Sequence, residues 1–474
     1  MILAIAKREF VDAWRDGRFR LAALLVLALI GASALLARAQ NERSRTEREA
    51  AARLERENWV NQGEKNSHSA GHYGIHVFKP AAALAPFDRG VEPFVGPVAF
   101  LEAHRMNQTA FLPARDGTAM RRFGDLSASL ALQVLFPLII VLLCHGTLAG
   151  ERERGTLRQL LALGVTPRAL VAGKAIGLFA CTLLLLAPAA VALAWITADT
   201  PAQPGADITT RAVALAALYS GYSGLFVLLS VAASALARSA RSALAALLGL
   251  WAFNCILAPR LASDLVHAAL PATKLAEFDA AVNADLQMGL DGHDSRSEHM
   301  QEFTRRTLAE HGKSRIEELP FNFQGLAMLE GERFSSAVWQ HHFGRLFDQF
   351  ERQDRAVARA GIAAPLLAVR HASMAFAGTD LAEHRRFALA AERHRNEFVR
   401  VLNEDLMRNA PPGDHRYTAG RELWESLPEF RLAPSGFGDA WSTAREGALV
   451  LAGWLVAALA LLLVVPARLR GADA

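Results

Sequence analysis

Six long stretches without a charged side chain constrain this 474-residue sequence more than any other feature. A bilayer core is crossed by a helix of about 20 predominantly apolar residues, and about 17 is the lower limit. Each stretch meets that limit, so we predict an all-α polytopic membrane protein with six transmembrane helices and two mainly helical extracytoplasmic regions. The predicted spans are residues 21–37, 126–150, 175–198, 212–237, 242–259 and 447–467.

Residues 1–20, before the first span, have the pattern of an amphipathic helix. Such a helix can lie in the membrane interface, with Trp14 at the level of the headgroups. We therefore predict a cytoplasmic interface helix, with Arg8, Glu9, Phe10 and Trp14 as its candidate functional residues. The string 37–39 resembles a signal-peptidase site, but the apolar core before it is longer than the usual ~7–15 residues, which favours an uncleaved signal anchor.

The short segments that carry basic residues lie on one side of the predicted bundle, at 1–20, 151–174, 238–241 and 468–474. The short loop 199–211 on the other side has none before Arg211. Because basic loops stay in the cytoplasm, both termini are predicted to be inside. Two long polar stretches, region 1 (residues 38–125) and region 2 (residues 260–446), are then periplasmic. Within region 1, Gly and Pro recur along residues 59–123, which predicts irregular loops.

Several classes of function are disfavoured. The 51 basic and 47 acidic residues nearly balance, so no basic surface for nucleic acid is expected. The spans contain no Asp, Glu, Lys or Arg, which argues against coupling to an ion gradient. Gly173-Lys174 lacks the rest of a P-loop, so any ATP must bind another chain, and we expect no cofactor here. Nothing in the sequence indicates paired catalytic carboxylates or a nucleophile, so we do not predict an enzyme.

Histidines recur at four-residue steps at His68, His72 and His76, and His104 follows nearby. On a helix, this spacing would stack imidazoles that could bind a metal ion. The glycines between these residues make a helix doubtful, and no acidic or cysteine ligand is interleaved. We therefore predict packing in a loop and no metal site.

The segment between the second and third spans, residues 151–174, reads ERERGTLRQLLALGVTPRALVAGK. It has a surface of mixed charge, an apolar ridge of leucines that includes Leu163, and two helix starts, with Thr156 as a predicted N-cap and Thr166-Pro167 as the second start. The spacing alone leaves two interpretations open. The segment is either a turn whose arginines only determine the membrane topology, or the element through which a partner protein transmits mechanical work to the spans.

The string Glu151-Arg-Glu-Arg-Gly-Thr-Leu-Arg-Gln-Leu-Leu161, with Gly173-Lys174 opening the next span, resembles the signature of ABC-2 type permeases. These are the membrane subunits of ATP-binding-cassette exporters. The resemblance implies a coupling helix docked on a dimer of separate ATPase subunits, which bind the ATP, and a second permease chain, identical or related. The coupling residues that it implies are Glu151, Arg152, Glu153, Arg154, Gly155, Thr156, Leu157, Leu160 and Leu161.

Regions 1 and 2 resemble those of one bacterial subgroup, whose two large periplasmic insertions have no characterised function. The matching strings include residues 68–74, 78–80, 320–325 and 377–380. The resemblance implies a location in the bacterial inner membrane and the export of a substrate. Two alternatives stay open. An ATPase could drive force transmission to the periplasmic regions or to a periplasmic partner, or the chain could be a scaffold without an ATPase.

Overall fold

The computed structural model describes residues 1–112, 127–200, 205–290, 296–414 and 416–472. These residues include six helices that are long and apolar enough to cross a membrane, which confirms the predicted all-α polytopic fold. Some predicted boundaries, namely the end of region 1, the middle of loop 199–211 and the tip of the tail, lie outside the described residues.

The helices are numbered here in chain order. They are α1 Ile2–Arg15, α2 Gly17–Val60, α3 Ser67–Tyr73, α4 Ala128–Glu153, α5 Thr156–Ala162, α6 Pro167–Asp199, α7 Ile208–Leu236, α8 Ala240–Ala269, α9 Leu275–Met288, α10 Arg296–Glu310, α11 Phe323–Arg359, α12 Pro365–Ala377, α13 Leu381–Asn409, α14 Arg421–Ser426 and α15 Phe437–Ala472. The six candidate spans are α2, α4, α6, α7, α8 and α15.

The helices of the first and fifth spans continue into the regions that follow them. The helix α2 runs past the predicted end of the first span at residue 37 to Val60, and α8 runs past residue 259 to Ala269. The extension of α2 is rich in Arg, Glu and Ala, which are good helix formers, and no proline or glycine ends it. Regions 1 and 2 therefore begin as rigid continuations of spans.

Two spans contain a π-helical turn just before a proline. The turn Ala131–Leu135 precedes Pro137 in α4, and the turn Phe253–Leu257 precedes Pro259 in α8. Proline has no N–H to donate to the carbonyl four residues earlier. For Pro137 that carbonyl belongs to Gln133, and it accepts the Tyr222 hydroxyl at 3.1 Å instead. At Pro137 the second span thus contains a local change of helix type, which exposes a carbonyl to a neighbouring span.

Region 1 contains a small antiparallel sheet, so the prediction of irregular loops for residues 59–123 is wrong in this part. The strands are β1 Ile75–Phe78, β2 Val98–Glu102 and β3 Arg105–Met106, in the order β1-β2-β3. They are only two to five residues long, which leaves little periodic signal between the many glycines and prolines. The β2–β3 turn places His104 in the left-handed region, with φ of 70°.

Regions 1 and 2 pack together into one body. The long helices α11 and α13 lie side by side, and α13 also contacts α3 and β2 of region 1. Buried aromatic side chains join the two regions, since the indole N–H of Trp59 donates to the backbone carbonyl of Trp424 at 3.1 Å. The ends of the two regions thus share a hydrophobic core although they are far apart in sequence.

One helix of region 2 packs into the spans themselves. The buried side chains of α12, including Leu366, Val369 and Phe376, belong to the same hydrophobic cluster as the spans. They contact α7 and α15. Region 2 is therefore continuous with the core of the membrane bundle, and a movement of the spans must be accommodated by α12.

Candidate functional site

Three segments meet at one end of the bundle, named here the segment end: α1, residues 151–174 and residues 238–241. At this end α1 lies across the start of α6, where two glycines allow close approach. A Cβ atom on Gly173 would lie 2.7 Å from Cβ of Ile5, and one on Gly177 would lie 2.6 Å from the carbonyl oxygen of Ala6. Any larger residue at these two positions would push α1 away from α6.

A buried ion-pair cluster joins α1, the end of α4 and the start of α6. The Lys174 ammonium lies 2.7 Å from a carboxylate oxygen of Glu9 on α1 and 3.5 Å from one of Glu151. The other oxygen of Glu9 accepts the Thr147 hydroxyl at 2.8 Å. The Lys174 side chain is only 7% exposed, so its charge depends on these two carboxylates for compensation.

The turn from α4 into α5 depends on Gly155, which has φ of 75° and occupies the N-cap position. The prediction of Thr156 as N-cap is therefore wrong, since Thr156 is the first residue of α5. Its hydroxyl instead donates back to the carbonyl of Glu151 at 3.1 Å and to the Glu151 carboxylate. The second start is confirmed, because the Thr166 hydroxyl caps α6 by accepting the backbone N–H of Ala169.

Arg152 and Glu153 tie the segment to the turn between α7 and α8. The Arg152 guanidinium donates to the carbonyls of Ala235 and Ala237 at 3.0 and 2.6 Å. A cation is favoured at this C-terminal end of α7 because the helix dipole is negative there. Glu153 accepts the backbone N–H of Ala240, at the start of α8, at 3.2 Å.

The nine predicted coupling residues therefore divide into inward-facing and exposed sets. Leu157 is 1% exposed and belongs to the core of the bundle, while Leu160 and Leu161 pack against that core and are half-buried. Glu151, Arg152 and Thr156 are also half-buried, with the contacts described above. The exposed members are Glu153, Arg154 and Gly155, and beside them lie exposed Arg158 and Leu163, the latter 81% exposed.

The interface helix divides in the same way. Glu9 and Phe10 face the bundle, since Glu9 bonds to Lys174 and Phe10 packs on the span cluster. Arg8 faces outward and pairs with Asp12 at 2.7 Å, and Trp14 is 51% exposed. Only Glu9 of the four predicted residues enters the ion-pair cluster.

Sequence reasoning missed Ser234, a buried residue of α7. Its hydroxyl oxygen accepts the backbone N–H groups of Leu148 and Ala149, both at 3.0 Å, where α4 turns before its last segment. The only sequence signal was the run of small residues in the fourth span, which indicates close helix contacts and not a specific hydrogen bond.

A second polar arrangement crosses from the spans to region 1. Gln133 of α4 donates to the Tyr219 hydroxyl at 2.9 Å, and this hydroxyl lies 2.7 Å from that of Ser373 on α12. Ser373 in turn donates to the buried carboxylate of Asp88. Burial raises the pKa of Asp88, since the charged form loses its hydration. A chain of hydrogen bonds thus connects a span, region 2 and region 1.

The structure brings together three of the histidines singled out in the sequence. His68 and His72 lie on α3, so the expectation that glycines prevent a helix is wrong: the Asn66 side chain caps α3 at its start, and Gly74 follows its end. His104 joins them from the β2–β3 turn, and their nitrogen atoms lie within 4.8 Å of one another. His76 does not join, because it lies on β1 beside Glu55.

The sequence was compared with known families and proteins. The family described as "ABC-2 family transporter protein" matches residues 3–300, more than half of the chain. A domain of unknown function, DUF3526, matches residues 275–433, which cover most of region 2. No curated protein matches the chain. The six spans and the family match together show that this chain belongs to the ABC-2 family of transporter proteins and is a membrane permease component of an ABC transporter, distinct from the ATPase.

Proposed function

We propose that this chain couples ATP hydrolysis on a separate ABC ATPase dimer to export of a substrate across the bacterial inner membrane, in complex with a second permease chain. One observation carries the proposal. The Glu9–Lys174–Glu151 cluster links α1, the 151–174 segment and the start of α6 into one unit at the segment end. Such a unit would transmit a displacement as a rigid body.

The connections of α5 determine which spans a displacement would reach. Its start follows the Gly155 turn at the end of α4, and the residues after its end lead to the Thr166 cap of α6. A partner that moves α5 must therefore move the ends of two spans together. The basic residues of this end support a cytoplasmic location, which is the side on which an ATPase would bind.

The exposed charges on α5 and in the turn just before it provide the test. We expect the double variant Arg154→Glu/Arg158→Glu to lose most of the ATPase subunit that co-purifies with the wild-type chain. It should keep its thermal stability, because both side chains are exposed. The matched control is the double variant Arg408→Glu/Arg431→Glu, which makes the same charge change at two exposed positions of region 2. Unchanged ATPase recovery and turnover in the double variant would contradict the proposal.

A second candidate function is force transmission to the periplasmic regions without substrate passage. The specific observation in its favour is the hydrogen-bond chain through Tyr219, Ser373 and Asp88, together with the packing of α12 among the spans. A movement of α4 or α7 would reach region 1 through these contacts.

Ser373→Ala distinguishes the two functions, because it removes the central hydroxyl with little change of volume. If force transmission is the function, an ATP-dependent change in protease cleavage of region 2 disappears while ATPase binding persists. The control is Ser442→Ala, whose exposed hydroxyl bonds only within its own helix turn. Accumulation of a small molecule inside cells that lack the protein would instead support export.

A further inference from the structure

We propose that His68, His72 and His104 bind one divalent first-row transition-metal ion, Zn²⁺ being the probe of choice. The three imidazoles form a nearly equilateral triangle, with ring centroids 4.9, 5.0 and 5.2 Å apart. The Nε2 atoms of His68 and His72 are 3.2 Å apart. Two nitrogen ligands about 2.0–2.1 Å from a tetrahedral zinc ion are separated by about 3.3 Å, so this pair already has the spacing of bound ligands.

Neighbouring acceptors set the orientation of two of the rings. Glu332 Oε1 lies 2.6 Å from Nδ1 of His104 and also accepts the backbone N–H of that residue at 2.7 Å. Asn403 Oδ1 lies 2.8 Å from Nδ1 of His68. A carboxylate or amide oxygen beside Nδ1 favours the proton there and leaves the lone pair of Nε2 free for a metal ion.

These acceptors are themselves held rigidly. Glu332 is bound by Arg395, whose guanidinium lies 3.1 Å from it and is 1% exposed. Asn403 is fully buried on α13. The acceptors come from region 2 and the three histidines from region 1, so a bound ion would also fasten the two regions together.

The donor set indicates the class of metal ion. Three neutral imidazoles without a thiolate suit zinc, copper or nickel, and they leave a fourth position of a tetrahedral ion for water or another ligand. His72 is exposed, and the His104 side chain is 38% exposed, so the cluster is open to solvent on one side. The alternative is packing of the rings with an Nε2–H of one histidine donating to the Nε2 of the other, which predicts that no metal ion binds.

Metal content and affinity test the proposal on the full-length chain, purified in detergent with a tag that lacks histidine. We expect one Zn²⁺ per chain by elemental analysis, and Co²⁺ should give the visible absorption of a tetrahedral site. His72→Ala should weaken Zn²⁺ binding at least 100-fold in competition with a chelator. It should still fold, because His72 is exposed. His76→Ala is the matched control, and its affinity should equal that of the wild type.

A second variant distinguishes a metal site with outer-shell ligands from a simple pair of surface histidines. Glu332→Gln keeps the side-chain shape, and loss of an outer-shell carboxylate lowers metal affinity by roughly 10–100-fold. Zn²⁺ should also raise the thermal unfolding temperature of the wild type but not that of His72→Ala. Equal affinities of the wild type and His72→Ala, or equal losses in His72→Ala and His76→Ala, would overturn the proposal. The readouts need no ATPase, so they are independent of the function proposed above.

Discussion

The two ends of the bundle are built differently. At the segment end, α1 and α5 form a thin layer over the spans, with the buried cation of Lys174 beneath α1. At the region end, regions 1 and 2 enclose several hydrophobic clusters and a polar interior that includes Arg395, Glu392 and Asp380. The first end carries exposed charge on a thin layer, whereas the second is a folded body with its own interior.

This difference shows where substitutions should affect binding and where they should affect stability. A thin surface layer offers contacts that a partner can use, and few of its side chains are needed for folding. A body with buried charges depends on each charge being paired, because an unpaired charge in a low dielectric is costly. Four predictions test this difference between the two ends, in order of decreasing expected effect.

Arg395→Met should destabilise the protein most. It removes the cation that compensates buried Glu392 and Glu332, at 2.8 and 3.1 Å. Removing one partner of a buried pair costs about 3–5 kcal/mol of unfolding free energy. Arg400→Met on the same helix is the control, and because Arg400 and its partner Glu397 are both about half exposed the loss should be under about 1 kcal/mol. Equal losses of unfolding free energy in the two variants, measured by chemical denaturation, would contradict the proposed difference between buried and exposed ion pairs.

The pH dependence of the region end should reveal buried Asp380. Burial raises its pKa to about 6, from a model-peptide value of 3.8. Between these values the folded state keeps a proton that the unfolded state releases, so the contribution to stability falls as pH rises from 4 to 6, by about 3 kcal/mol in total. Asp380→Asn should therefore gain stability relative to the wild type as pH rises through this range.

Neighbouring His384 acts in the opposite direction, because burial lowers its pKa to about 4 from 6.5. The folded state excludes a proton that the unfolded state binds, so stability is lost as pH falls from 6.5 towards 4. In Asp380→Asn the His384 contribution should remain, so the unfolding temperature should rise as pH rises from 4 to 6.5. An unchanged profile in Asp380→Asn would contradict the assignment of the titration to this carboxyl group.

Gly177→Ala tests a tightly packed contact between α1 and α6 at the segment end. The added Cβ would lie 2.6 Å from the Ala6 carbonyl oxygen and 2.9 Å from Cβ of Glu9. Overpacking of this kind costs about 1–3 kcal/mol. Gly249→Ala, a span position with nothing within 4 Å of the added atom, is the matched control and should not lower the unfolding temperature.

Arg8→Gln should have the smallest effect. The Arg8 side chain is 79% exposed, and its partner Asp12 is on the same face of α1. We expect no measurable shift in thermal unfolding, because exposed ion pairs contribute little. A clear loss of stability would show that the segment end is more than a surface layer.

The sequence predicted those structural features that depend on residues close together in the chain. Apolar runs located the six spans, and Thr166-Pro167 located the start of α6, because hydropathy and capping act within a few residues. It could not show that Leu157 faces inward while Leu163 is exposed, since both belong to one apolar ridge. It also could not show that Gln133, Tyr219 and Ser373 meet, because they lie on three separate helices.

The sequence by itself determined the class of protein and the number of membrane helices. It also placed the charged segment 151–174 between the second and third spans. Only the tertiary structure decided that Lys174 joins Glu9 to Glu151 and that His104, not His76, completes the histidine cluster. The physical reason is that a contact between distant residues depends on how helices pack and where a turn brings the chain back, and neither is encoded in local periodicity.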